Sequence, residues 1–203
     1  MIYGFIARLL IESSLEILVS SFLNISYPVT NTYGQWISLI CSYGLALLQC
    51  VLALCILIYF SKNFGKMDEP HIKVRWRMVT EEINTHRYSA NYFFPFFILR
   101  RTIFVLSATY LDTHDVLQLM IFMVTNLLYM LYIAVCRPLD SPVRNNLEIF
   151  NESCIMVMTG SLFAYTLYVD DAEAKYNAGW FFIGVFLCNF GVNSAVLSRE
   201  MFE

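Results

Sequence analysis

Apolar residues in this chain run in long blocks rather than in short alternations, and six blocks approach the ~20 residues that an α-helix needs to cross a bilayer. They cover roughly residues 2 to 24, 36 to 60, 92 to 111, 116 to 135, 148 to 169 and 178 to 197. The second, WISLICSYGLALLQCVLALCILIYF, has Gln49 as its one strongly polar residue. It opens on Trp36 and closes on Tyr59, as an aromatic belt at the membrane boundary predicts. The first block differs: Arg8, Glu12 and Glu16 raise the alternative of a helix lying in the interface, although LEILVSSFLNI is apolar all round. Between the second and third blocks, EPHIKVRWRMVTEEINTHRY sets Ile72, Trp76, Val79 and Ile83 at near-helical spacing with basic residues between them. That segment predicts an amphipathic helix on the cytoplasmic leaflet, with a solvated connector helix as the alternative. The expected fold is all-α: one transmembrane domain over residues 1 to 203, a polytopic membrane helical bundle of about six transmembrane helices plus the cytoplasmic interfacial amphipathic helix within residues 61 to 91.

Composition agrees with this pattern, since the chain is 58% hydrophobic and 14% charged, against ~25% charged residues in a soluble domain. The net charge of −3 is scattered and argues against a nucleic-acid partner. The distribution of charge is more informative. Residues 61 to 91 hold Lys62, Lys66, Lys73, Arg75, Arg77 and Arg87, whereas residues 25 to 35 hold no charge, so the longer loop and both termini are expected in the cytoplasm. DTHD at 112 to 115 and DDAEAK at 170 to 175 then fall outside, and CRPLDSPVRNN at 136 to 146 and Arg199 fall inside. The cysteines Cys41, Cys50, Cys55, Cys136, Cys154 and Cys188 lie in or at the end of apolar runs with no C-x-x-C pair, and read as small apolar residues.

Charged residues inside the apolar blocks are the candidate chemistry, because an intramembrane ion costs several kcal/mol unless it is partnered. Arg100 and Arg101 sit in the middle of YFFPFFILRRTIFVLSATYL. Arg8, Glu12 and Glu16 follow one another at i, i+4 and i+8 down one helix face, and Glu148 and Glu152 lie one turn apart at the start of the fifth block. The expected network pairs Arg100 or Arg101 with Glu12 or Glu16 as the deeper contact, and with Glu152 as the shallower competitor. Asn126, Asn189 and Asn193 are candidates for a polar path or for helix-to-helix contacts, the latter being the commoner use. Two adjacent arginines without repeats do not make a voltage sensor, and the short segment between the last two blocks is too small for a pore helix and filter. His71, His86 and His114 fall in separate loops, and no H-E-x-x-H, G-x-S-x-G or phosphate-cradling loop is present, so no catalytic residue, metal site or cofactor is expected. The NIS and NES sequons lie against the membrane and on the cytoplasmic side, where glycosylation is not expected.

Four blocks taken together, ARLLIESSLEILVSSFLNI, YFFPFFILRRTIFVL, CRPLDSPVRNNLEIFNE and KYNAGWFFIGVFLCN, resemble the C-terminal multi-span region of large protist membrane proteins, a group labelled TRP-like. The resemblance covers most of the chain. It implies a polytopic helical bundle without enzymatic activity, in a plasma or ciliary membrane, and a charge network at Arg8, Glu12, Glu16, Arg100, Arg101, Arg137, Pro138, Glu148, Asn151 and Glu152 in the cytoplasmic half. In that group the spans follow a large extracellular region, so this chain is expected to be a short relative or the membrane part of something longer. The expected function is a structural or anchoring subunit of a larger membrane assembly, in contact with the lipid bilayer and with other membrane subunits or copies of itself. The alternative is a subunit of an ion channel or transporter.

Overall fold

Long apolar runs become long helices, the form in which a backbone segment satisfies its own hydrogen bonds and could do so in hydrocarbon. A computed structural model describes residues 8–63, 83, 84, 87–166 and 169–202. Its helices are α1 (Ser14–Ser26), α2 (Tyr33–Lys62), α3 (Phe93–Tyr110), α4 (Asp115–Cys136), α5 (Pro142–Leu162) and α6 (Ala172–Phe202). A helical stretch over residues 8–12 precedes α1, and single 3-10 turns lead into α3 (Tyr88–Tyr92) and follow α5 (Phe163–Tyr165). Among the described residues there is no strand; one isolated antiparallel bridge joins Ile83 to Leu139.

Among the described residues, four helical segments are long and apolar enough to cross a membrane: Tyr33–Tyr59, Tyr88–Tyr110, Asp115–Cys136 and Ala172–Arg199. This is compatible with membrane insertion. The first and fifth of the six expected spans do not meet that standard, for different reasons. α1 is apolar but has 13 residues. α5 has 21 residues, enough in length, yet carries Arg144, Asn145, Asn146, Glu148, Asn151 and Glu152 in its first three turns. It also starts well before the expected residue 148, because Pro142 supplies a preset φ at the first turn after Ser141.

The helix ends follow local chemistry. At the start of α2 the Gln35 side chain accepts from the backbone N–H groups of Asn31 (2.8 Å) and Thr32 (2.9 Å), closing a capping arrangement before the apolar run begins. Pro95 falls in the first turn of α3, where a missing N–H breaks no helical bond. α4 stops at Arg137, which takes the left-handed conformation at φ 43°, and Pro138 blocks any continuation. The chain turns tightly there. Asn145, 2% exposed, accepts from Leu139 N (3.1 Å) and donates to Leu139 O (2.8 Å) and Ser141 O (3.0 Å), so one side chain ties the α4–α5 turn to the first turn of α5. At the opposite end of α5 the Tyr165 hydroxyl donates to Lys175 O (2.8 Å); a Cβ on Gly179 would come within 2.8 Å of that hydroxyl and push the ring tip aside.

Packing runs along the chain. α1 lies against α2 and α3, α2 also touches α3, and then α3 meets α4, α4 meets α5 and α5 meets α6. The apolar core gathers Ile11, Ile56, Ile83, Phe93, Ile98, Ile133 and Leu139. Ile83 therefore departs from its expected place on the membrane-surface face of an amphipathic helix: it is 6% exposed and bridged to Leu139, while Ile72, Trp76 and Val79 lie outside the described residues. Trp36, Ile40, Leu47 and Leu54 on α2, and Trp180, Phe186, Leu187 and Phe190 on α6, face outward.

Asn145→Ala should destabilise the chain by about 2 kcal/mol, since it leaves the Leu139 N–H and C=O without partners in a buried turn. Asn145→Asp should not restore stability, because a carboxylate cannot donate to Leu139 O and Ser141 O. Denaturant unfolding in mixed micelles measures both.

Candidate functional site

Arg100 and Arg101 are neighbours in sequence but leave α3 about 100° apart, so each meets a different helix. Arg100 turns towards α4 and α5. Its Nη1 donates to the carboxylate Oε2 of Glu152 and to Asn126 Oδ1 (3.1 Å), and its guanidinium lies 4.4 Å from the centre of the Tyr129 ring. Asn126 in turn donates from Nδ2 to the backbone carbonyl of Glu152 (3.1 Å). The three side chains form a closed arrangement across α3, α4 and α5. They are also dry: the side chains of Arg100 and Glu152 keep 14% and 3% of their exposure.

The sequence builds this centre from simple spacings. Asn126 and Tyr129 are three residues apart on α4, so both reach the same side. Glu152 lies deep enough along α5 to face the middle of α3, and of the polar groups that depress the hydropathy of α5, Asn145 and Glu152 are buried.

Arg101 turns the other way, onto α1. Its Nη1 donates to Glu12 O (2.9 Å), Ile11 O (3.3 Å) and Ser14 Oγ (2.9 Å), and the guanidinium sits 4.0 Å from the centre of the Phe97 ring. The helix is interrupted at this point. Ser13 keeps its i→i−4 backbone bonds but departs from helical dihedrals (φ −82°, ψ 8°), and its hydroxyl donates back to Leu9 O (2.7 Å), a serine contact that bends helices. Carbonyls at the bend are thus presented to the cation.

The two arginines therefore differ from the expected pairing. Arg100 takes Glu152, the contact expected to be shallower, and Glu12 meets Arg101 through its carbonyl. The carboxylate of Glu12 stays on the outer face, where Arg8 Nε donates to it at 2.7 Å. Glu16 makes no hydrogen bond to either arginine but attracts Arg101 through space. Depth along a helix was the criterion for the expected match, whereas direction around the helix axis decides the contact. Glu148 lines a second crevice with Arg144, Leu147 and Asn193 between α5 and α6.

The asparagines gather on the α5–α6 seam. Asn189 and Asn193 both donate to Asn151 Oδ1 (2.8 and 2.7 Å), and Asn151 donates to Asn193 Oδ1 (3.2 Å). The i, i+4 spacing on α6 made their common face legible; Asn151 was hidden in a sequon. Other contacts escaped the sequence reading. Gln49 donates to Leu10 O (3.2 Å), and Asn24 donates to Ser38 Oγ (3.0 Å) and Ser42 Oγ (2.9 Å), each joining α2 to the first helical segment or α1. A lone Gln in a 25-residue apolar block was the available signal for the first. Among the described residues no three His, Cys, Asp or Glu side chains converge to hold a metal ion.

Removing one member of the central pair should be worse than removing both. Arg100→Leu strands the Glu152 carboxylate and should cost about 3 to 5 kcal/mol, and Arg100→Leu with Glu152→Leu should recover most of that loss. The same cycle with Glu12 should be additive within about 0.5 kcal/mol. Thermal unfolding of the four proteins of each cycle in one lipid mixture decides between the pairings.

No family model matches this chain, and neither a curated protein nor a solved structure matches it.

Proposed function

We propose that this chain is a non-enzymatic multi-pass membrane protein that serves as a structural or anchoring subunit of a larger membrane assembly. The observation that supports this reading is the use of its intramembrane polar groups: Arg100, Arg101, Asn126, Glu152 and the Asn151–Asn189–Asn193 cluster bond to partners on neighbouring helices. Polar groups spent in this way hold helices in register and present no repeated set of ligands along a path. Meanwhile α2 and α6 turn large apolar and aromatic side chains outward, towards lipid or another subunit.

The same reading has six crossings. α5 buries Asn145 and Glu152 and is long enough to span, and α1 extends an already helical stretch over residues 8–12. The Arg87 guanidinium donates to Cys136 O (3.0 Å) and Ile83 bridges Leu139, which brings the start of α3 and the end of α4 to one side. Arg87, Arg137 and Arg144 share that side, whereas Asp112, Asp115, Asp170, Asp171 and Glu173 belong to the opposite turns. The basic side is cytoplasmic by the charge rule for membrane insertion. The alternative, a channel or transporter subunit, draws on the crevice of about 370 Å³ where Arg144, Glu148 and Asn193 meet.

In a background without the native cysteines, Asn31→Cys and Glu173→Cys should react with an impermeant maleimide on intact cells, and Asp140→Cys should react only after permeabilisation. The reverse pattern would invert the topology. Purified chain in planar bilayers should give no unitary currents; reproducible currents that vanish on Arg100→Ala would replace the anchoring role with conduction.

A further inference from the structure

One carboxylate is left over by the internal network. Residues 8–12 and α1 bury Ile11, Ser14, Leu18 and Ser21 against the neighbouring helices, at the three- and four-residue steps of a packed seam. The opposite face repeats those steps, and there Leu9, Glu12, Glu16, Ser20 and Leu23 are all exposed. Glu12 is answered on that face by Arg8 (2.7 Å). Glu16 makes no hydrogen bond or ion pair with any described residue and is only attracted through space by Arg101.

The depth of Glu16 is fixed by α3. Arg101 bonds to Ser14 Oγ (2.9 Å) and Tyr110 meets Phe22 ring to ring (6.5 Å between centres), so α1 and α3 run parallel and in step. Glu16 lies between those contacts, six residues short of Phe22 and thus about 9 Å below the level of Tyr110, where α3 ends. With α3 across a bilayer, this carboxylate points outward from within the hydrocarbon, and its side chain lacks the long stem with which Lys and Arg reach the interface. Acids at such depth almost always face a bundle interior or a cavity and pair with a cation.

From this placement we propose that the outer face of α1 docks a membrane-spanning helix of another subunit, and that a lysine or arginine of that helix pairs with Glu16. Leu9 and Leu23, 51% and 49% exposed, pack on either side of the pair. A second copy of this chain does not fit. Its cations at that depth are spent, Arg100 on Glu152 and Arg101 on the α1 bend, and its own α1 would set a like charge against Glu16. The inference rests on the reading of the chain as a subunit of a membrane assembly, with α1 crossing beside α3.

The full chain in phosphatidylcholine vesicles, carrying a donor dye at Asn31→Cys in a background without the native cysteines, tests it by energy transfer to synthetic leucine–alanine helices long enough to span. A peptide with one central lysine should bind about tenfold more tightly than the same peptide with leucine there, the worth of a polar contact between membrane helices. Glu16→Gln should abolish that preference without lowering the thermal midpoint, since nothing inside the chain bonds to Glu16. Glu16→Lys should reverse it in favour of a glutamate-centred peptide; if that variant does not fold, the parent chain and Glu16→Gln decide. Equal binding of the lysine and leucine peptides, or a preference that survives Glu16→Gln, overturns the proposal. In mild-detergent extracts of its native membrane the chain should migrate in a complex that Glu16→Gln disperses. Migration as a single copy would overturn the subunit reading and this contact together, whereas a complex indifferent to Glu16→Gln would keep that reading and overturn the contact alone. Reaction of Ser20→Cys with an impermeant maleimide in the vesicles would overturn the contact by placing α1 outside the hydrocarbon.

Discussion

If α3 crosses a bilayer, the Arg100 guanidinium needs its charge answered from within the protein, and that condition is met only if α3, α4 and α5 are all in place. Glu152 supplies the countercharge from α5, Asn126 an acceptor from α4, and Tyr129 an aromatic face from the same helix. Separating such a pair by removing one partner costs about 3 to 5 kcal/mol, against about 0.6 kcal/mol for a typical polar contact between membrane helices. The ion pair therefore outranks the asparagine contacts in deciding how these three helices sit. It need not make the chain more stable than an apolar replacement would. Its effect is to penalise every arrangement in which Arg100 faces lipid or another helix.

Arg101 is answered by a different means, and the difference explains α1. With no carboxylate of the described residues in hydrogen-bonding reach, its Nη1 takes two backbone carbonyls and a serine hydroxyl at the bend around Ser13. An unbroken helix spends its carbonyls on its own N–H groups four residues later; a bend releases some of that capacity. The serine pair Ser13–Ser14 supplies both the bend and a hydroxyl acceptor. Local sequence and tertiary contact thus agree at one point, and α1 is docked on α3 there.

Much of this was readable from the sequence, and the parts that were not share a physical cause. α2, α3, α4 and α6 were visible because an apolar block long enough to cross a membrane is a strong one-dimensional signal. The start of α5 was not, since hydropathy counts Asn145, Glu148 and Glu152 against a span even though Asn145 and Glu152 are buried on its inner side. Arg100, Arg101 and Glu152 were identified as unusual from composition alone. Their pairing was misjudged because it depends on rotation about each helix axis, and residue counting measures only distance along it. The bridge at Ile83 was beyond reach for another reason: its partner Leu139 is 56 positions away, and near-helical spacing offered a simpler local reading.

The polar contacts also explain how one arrangement is selected among many. If these helices lie in lipid, apolar side chains gain little by exchanging a hydrocarbon neighbour for another helix, so apolar surface alone discriminates weakly between registers. Side-chain hydrogen bonds discriminate sharply, since a shift of one residue turns a donor by about 100°. α1 and α2 meet through Asn24, Ser38 and Ser42, α3 and α4 through Arg100 and Asn126, α4 and α5 through Asn126 and the Glu152 carbonyl, and α5 and α6 through Asn151, Asn189 and Asn193. α2 and α3 are joined by a long connection and share α1 as a neighbour; Arg101 locks α3 to that shared neighbour. Polar pins at these seams leave the outer faces of α2 and α6 free of any such requirement. Those faces can therefore consist of exposed Trp, Phe, Leu and Ile without weakening the register of the helices behind them.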